Sequence, residues 1–108
     1  MTKREFNKNA KYLENHNVQI SDDALWGDYS YSRELYHCSP SGGDMCLCVE
    51  ELSKDSVLNA LDNYDINEEV RLWSENLDKT PFNNIKELYE DIEEWVNEMK
   101  EIANNMPY

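Results

Sequence analysis

The sequence predicts an α+β fold in which a small antiparallel sheet packs against helices. Three observations support this prediction. A capping-box spacing near the N-terminus indicates a short helix, and two β-compatible segments around a glycine-rich turn indicate a hairpin at about residues 29–49. Apolar residues spaced three and four apart indicate a long amphipathic C-terminal helix over residues 84–103. With 108 residues, the chain is expected to form a single domain, residues 1–108.

The N-terminal helix is predicted over residues 3–15. Thr2 and Glu5 have the spacing at which each side chain caps the backbone N–H of the other residue. Apolar residues then share one helical face, namely Phe6, Ala10 and Leu13. After the helix, the run Val18 to Ile20 favours a short strand, and Ser21 is expected to cap a single helical turn around Trp26.

The hairpin is predicted from a strand over residues 29–38, a turn over residues 39–44 and a second strand over residues 45–49. A two-residue loop at Gly42-Gly43 would place Tyr36 opposite Val49. His37 would then share a face with Cys46 and Cys48, while Cys38 would lie with the apolar residues on the other face. A loop that is one residue longer would shift this pairing.

Helices are expected after residue 50. Ser53 can cap a helix with an apolar stripe at Val57, Leu58 and Leu61, and Asp65 can cap the next helix. Residues 69–73 fit a helix better than a strand, although a strand that extends the sheet is the alternative. Asn84 caps the last helix, whose apolar seam consists of Ile85, Leu88, Ile92, Trp95, Met99 and Ile102.

The charge of the chain is strongly negative and unevenly spread. With 23 acidic and 10 basic residues, its formal net charge is −13. Residues 1–20 carry a net charge of +2, so residues 21–108 carry −15. A surface with this charge repels phosphate backbones and anionic membranes, and it attracts basic proteins. We therefore expect no direct binding to nucleic acid and no membrane association.

The C-terminal helix concentrates carboxylates on one outward face, without the alternation of signs that stabilises exposed helices. Like charges stacked one turn apart are mildly destabilising. Because solubility alone does not require this arrangement, it favours a role of the acidic face in recognition. The predicted partner-binding residues are Glu87, Glu90, Asp91, Glu94, Glu98 and Glu101 on this helix, Asp62, Asp65, Glu68 and Glu69 before it, and the aromatic anchors Tyr64 and Tyr89.

The residues that could carry chemistry do not form a known motif. Cys38, Cys46 and Cys48 lack the paired C-x₂₋₄-C spacing of structural zinc sites, so we expect them to bind no metal. We expect the three cysteines to be small apolar side chains that fill the sheet surface. The segment Asp62–Glu69 lacks the central glycine of a calcium loop. We expect no cofactor and no enzymatic activity. Three cysteines without a visible secretory signal favour reduced thiols in the cytoplasm of a host cell.

In size and charge profile the chain resembles the small acidic counter-defence proteins of phages and mobile elements, the anti-CRISPR and antirestriction inhibitors. The features that carry the resemblance are the −15 body, the acidic stretch from Asp55 to Glu75 and the acidic face from Glu87 to Glu101. Many of these proteins act without catalysis by placing carboxylates where phosphates would lie. The resemblance implies a non-enzymatic protein that binds and inhibits a nucleic-acid-binding defence protein, a CRISPR effector or a restriction system, at its basic surface.

The alternative hypothesis is an interaction module or assembly subunit in which the seam of the C-terminal helix packs against a second copy of the chain, forming a homodimer or a larger homo-oligomer.

Overall fold

The computed structural model describes all 108 residues and confirms the α+β prediction. A three-stranded antiparallel sheet is accompanied by four α-helices. The elements in chain order are α1 (Lys3–Asn15), β1 (Gln19–Ile20), β2 (Arg33–Cys38), β3 (Asp44–Val49), α2 (Lys54–Asp62), α3 (Ile66–Ser74), a 3₁₀ turn (Leu77–Lys79) and α4 (Ile85–Asn104). Residues 69–73 are therefore helical, and the alternative strand is wrong.

The helix starts are set by the side chains that the sequence indicates. The Thr2 hydroxyl accepts a hydrogen bond from the Glu5 amide at 3.1 Å, and the Glu5 carboxylate accepts from the Thr2 amide at 2.8 Å. Ser53, Asp65 and Asn84 each accept from the amide three residues later. Because a side-chain cap contributes about 1 kcal/mol, these contacts explain why each helix begins where it does.

The hairpin has a different register from the predicted one. Val49 pairs with Arg33 instead of Tyr36, and Tyr36 pairs with Cys46. The connecting loop is five residues long, residues 39–43, and it is closed by a hydrogen bond of 2.8 Å from the Ser39 amide to the Gly43 carbonyl. Because the register shift is an odd number of residues, it exchanges the two faces of the second strand relative to the first.

The corrected register places Cys38 on the exposed sheet face together with Cys46 and Cys48, and it places His37 on the other face. The expectation that the cysteines fill an apolar sheet surface is therefore wrong, because all three are exposed. The inner face of the sheet instead carries the aliphatic residues of the core, Leu35, Met45, Leu47 and Val49.

The connection between β1 and β2 is a loop without helical structure, whereas the sequence predicted a single helical turn there. An isolated bridge joins Trp26 to Tyr29, and the buried Ser32 hydroxyl accepts from the Trp26 amide at 2.9 Å. These contacts end the loop at Ser32, so β2 starts at Arg33 and not near residue 29.

The apolar seam of α4 lies in the core of its own chain. Leu88, Ile92, Trp95 and Met99 are at most 3% exposed, whereas Ile85 is 52% exposed and lies outside the packed region. Both α2 and α3 pack against α4, and α2 also contacts β3. The seam from Leu88 to Met99 is therefore covered within its own chain and leaves no surface there for a second copy, and oligomerisation of the chain stays a prediction.

None of the helices combines the length and the apolar character that crossing a membrane requires.

Candidate acidic interface on α4

The outward face of α4 carries the carboxylates that the sequence placed there. We call this surface the acidic face; it consists of Glu87, Glu90, Asp91, Glu94, Glu98 and Glu101. Four of these residues are exposed, and Glu87 and Asp91 are partly buried. Successive turns of a helix separate the carboxylates by about 5.4 Å along the axis. The nearby Lys100 does not neutralise this face, because its ammonium lies 3.2 Å from Asp62.

Two carboxylates of the acidic face hold neighbouring loops. Asp91 accepts hydrogen bonds from the Ser41 amide at 3.1 Å and from the Ser41 hydroxyl at 2.9 Å, which docks the hairpin loop on α4. Glu87 accepts from the Asn83 amide at 2.9 Å. Sequence reasoning missed Ser41, because its role depends on a contact across 50 residues.

A third carboxylate contacts the sheet. Nε2 of His37 lies 3.3 Å from Oε1 of Glu98, and Nδ1 of the same ring lies 3.1 Å from the Asn17 carbonyl oxygen. Asn17 has a positive φ of 64° and ends the turn after α1. His37 therefore links the acidic face to β2 and to the α1–β1 turn, a contact that the predicted register had hidden.

The remaining three carboxylates, those of Glu90, Glu94 and Glu101, have no hydrogen-bond or ion-pair partner in the structure. At 100° per residue they lie within an arc of about 40° around the helix axis. We call these three exposed and unpaired carboxylates the free row.

A groove of about 400 Å³ borders the C-terminal half of this row. Glu98 and Glu101 line one side, and Tyr12 and His16 at the end of α1 line the other. Tyr12 donates to the Ile102 carbonyl at 2.6 Å and so fixes the two helices together. Because helix C-termini carry partial negative charge, the end of α1 adds to the negative potential of this groove. The groove is suited to a guanidinium or ammonium group.

The predicted acidic stretch before α4 is not part of this surface. Asp62 pairs with Lys100, and Asp65 caps α3. Glu68 forms two hydrogen bonds with Arg71, at 3.0 and 2.6 Å, and Glu69 accepts from the indole of Trp73 at 2.7 Å. Asp62 thus joins α2 to α4 and the other three carboxylates stabilise α3, so none of the four lies free beside the acidic face.

The two predicted aromatic anchors are packed at the edge of the core. Tyr64 is partly buried, with its ring centroid 5.2 Å from that of Trp95. Burial, and then the charge of Glu69, raise the pKa of the Tyr64 hydroxyl. Tyr89 is also partly buried against the core. Neither ring projects from the acidic face, because Tyr64, which lies between α2 and α3, packs on Trp95, and Tyr89 of α4 packs against the core.

The exposed face of the sheet holds a second cluster of polar groups. The Cys46 thiol donates to Oε1 of Glu34 at 3.1 Å, and Cys48 lies opposite Glu34 in the ladder. Hydrogen bonding from Tyr36, followed by that from Cys46, holds the pKa of Glu34 below its usual range. Cys38 lies apart from these groups, with its thiol 3.8 Å from Asp44. Sequence reasoning missed this cluster because it depends on the register.

Comparison with protein-family models, with curated proteins and with solved structures gave no match. The interpretation of the two surfaces therefore depends on their own geometry and charge.

Proposed function

We propose that the protein is a non-enzymatic inhibitor that binds a basic nucleic-acid-binding defence protein, a CRISPR effector or a restriction system, in the cytoplasm of a host cell. The observation that carries this proposal is the unused row of Glu90, Glu94 and Glu101 on α4. The three exposed, unpaired thiols are compatible with a reducing compartment.

The acidic face matches the electrostatic requirement of a nucleic-acid channel. Such channels are lined by Lys and Arg, and duplex DNA presents one phosphate charge per about 1.7 Å of axis. Carboxylates on a helix are sparser, but a helix that is packed on its own core presents them with little loss of chain entropy on binding. A net charge of −13 also raises the rate of encounter with a basic partner.

The groove beside Glu98 and Glu101 adds a specific contact to this general attraction. An arginine of the partner that enters the groove could form hydrogen bonds with carboxylates on one wall. Buried arginine and aromatic contacts dominate the energy of many interfaces, whereas exposed charges mainly set the rate of association. We therefore expect the free row to steer the partner and the groove to hold it.

Charge reversal of the free row tests the proposal. The variant carries Glu90→Lys, Glu94→Lys and Glu101→Lys, none of which removes a contact within the chain. Asp22→Lys, Asp23→Lys and Asp28→Lys form the matched control, because these exposed loop residues undergo the same total change of charge. The assay measures inhibition of DNA cleavage by purified CRISPR effectors and restriction endonucleases.

For an effector that the wild-type protein inhibits, we expect the α4 variant to lose inhibition and the control to retain it. Inhibition should also weaken between roughly 50 and 200 mM salt, because the contacts compete with ions. If both variants lose inhibition equally, the net charge of the protein causes the inhibition and the position of the carboxylates on α4 does not. If wild-type protein inhibits none of the nucleases, or if inhibition is insensitive to salt, the proposal is wrong.

A further inference from the structure

The sheet brings together two thiols and one carboxylate that are separate in the sequence. Cys46 and Cys48 alternate along β3, so their side chains leave the same face of the sheet. Glu34 pairs with Cys48 across the ladder. The two Sγ atoms and one carboxylate oxygen all lie within 4.8 Å of one another, and the Cys46 Sγ is 3.1 Å from Glu34.

These separations are close to those of a tetrahedral metal site. Two thiolates that each lie about 2.3 Å from a tetrahedral Zn²⁺ are about 3.8 Å apart. The three donor atoms therefore need to move by no more than about 1 Å, which side-chain rotation provides. The paired strands hold the Cα positions, because the β2–β3 ladder is continuous from Arg33 to Cys38.

The electrostatics of the cluster favour a cation. No basic side chain pairs with these residues. The Glu34 carboxylate accepts a hydrogen bond from the Cys46 thiol but has no cationic partner. A divalent cation would supply the positive charge that the surroundings lack, and a coordinated thiol is deprotonated outright.

We propose that Glu34, Cys46 and Cys48 form a binding site for a zinc-class divalent cation on the exposed face of the sheet. The two thiols lose one proton each to solvent, and two S–Zn bonds and one O–Zn bond form. Thiolates select against Mg²⁺ and Ca²⁺, and a carboxylate ligand favours Zn²⁺ over Cu⁺. Three protein ligands leave the fourth position to water.

Spectroscopic titration of the full, reduced chain with Co²⁺ tests the site. We expect one Co²⁺ per chain, a thiolate-to-cobalt absorption band and its loss when Zn²⁺ is added. Release of two protons per metal is measured in weak buffer with a pH indicator. Cys46→Ser and Cys48→Ser should remove the band, and Glu34→Gln should weaken binding at least about tenfold. The control is Cys38→Ser, which removes an exposed thiol of the same face outside the cluster and should bind normally.

Because all three cysteines are exposed, we expect each variant to keep the fold, and circular dichroism checks this. The proposal is overturned if wild-type protein shows no thiolate band, if Cys46→Ser binds normally, or if Cys38→Ser loses binding to the same extent. Binding of Cu⁺ without Zn²⁺ or Co²⁺ would also overturn it. The site does not depend on the proposed inhibition, because the metal titration uses the protein alone.

Discussion

Removal of a single buried amide should destabilise the fold by more than its small size indicates. Asn9 is completely buried in α1, where its side chain donates to the Leu52 carbonyl at 2.8 Å and to the Tyr108 carbonyl at 3.4 Å. Its oxygen accepts from the Tyr108 amide at 3.1 Å. The Asn9 side chain therefore joins α1 to the segment before α2 and to the C-terminus.

The magnitude follows from these three contacts. A protein hydrogen bond contributes about 1 kcal/mol net, and a buried group that is left without a partner costs about 1–3 kcal/mol. Asn9→Ala removes all three bonds and leaves the buried Leu52 carbonyl without this donor. We expect the free energy of unfolding to fall by about 2–4 kcal/mol, a large part of the stability of a small domain.

The measurement is urea denaturation, with Asn7→Ala as the matched control. Asn7 is an exposed residue of the same helix, so both substitutions change helix propensity in the same way. Only Asn9→Ala should lower the midpoint strongly, at an unchanged slope. If the two variants differ by less than about 1 kcal/mol, the buried amide does not hold these segments together and the reasoning is refuted.

Two further predictions concern α4 and the thiols. Met99→Glu should destabilise the monomer by at least about 3 kcal/mol, because it places a carboxylate in the core, whereas Ile85→Glu on the same helix should change stability by about 0.5 kcal/mol or less. Urea denaturation and sedimentation measure the two effects. Glu34→Gln should speed alkylation of Cys46 by iodoacetamide at pH 8, because it removes the charge that helps raise the pKa of Cys46. Peptide mass spectrometry measures that rate.

The sign of the thiol effect also sets a pH dependence. Because partial desolvation of the thiol, followed by its hydrogen bond to Glu34, raises the pKa of Cys46 to about 12, the unfolded chain loses this proton first as the pH rises. The contribution of Cys46 to stability is therefore complete below its unfolded pKa and is lost between that value and about pH 12. A Met99→Glu variant that unfolds at the wild-type urea midpoint would contradict the first prediction, and a Cys46 alkylation rate that Glu34→Gln leaves unchanged would contradict the second.

The helices were largely predictable from local sequence. Thr2, Ser53, Asp65 and Asn84 cap the helices at the predicted positions, because a cap depends only on residues three positions away. The acidic face was predictable for the same reason, since helical geometry alone sets which side chains of α4 share a side. Which of these carboxylates remain free could not be predicted, because Ser41 and His37 reach them from distant segments.

The sheet shows the opposite case. The strands were predicted, but the length of the Ser39–Gly43 loop set the register, and glycine tolerates several turn geometries. Because the predicted register of β2 against β3 was wrong by three residues, the sequence did not indicate the cluster of Glu34, Cys46 and Cys48 or the contact of His37 with Glu98.

The sequence by itself therefore determined the α+β class, the helix starts and the side of α4 on which the carboxylates lie, because these follow from interactions within one or two turns of the chain. Only the tertiary structure decided that the seam of α4 is core, that three carboxylates of its outer face are free, and that two thiols meet a carboxylate on the sheet. Those outcomes depend on loop length and on packing between segments far apart in the chain, for which local periodicity carries no information.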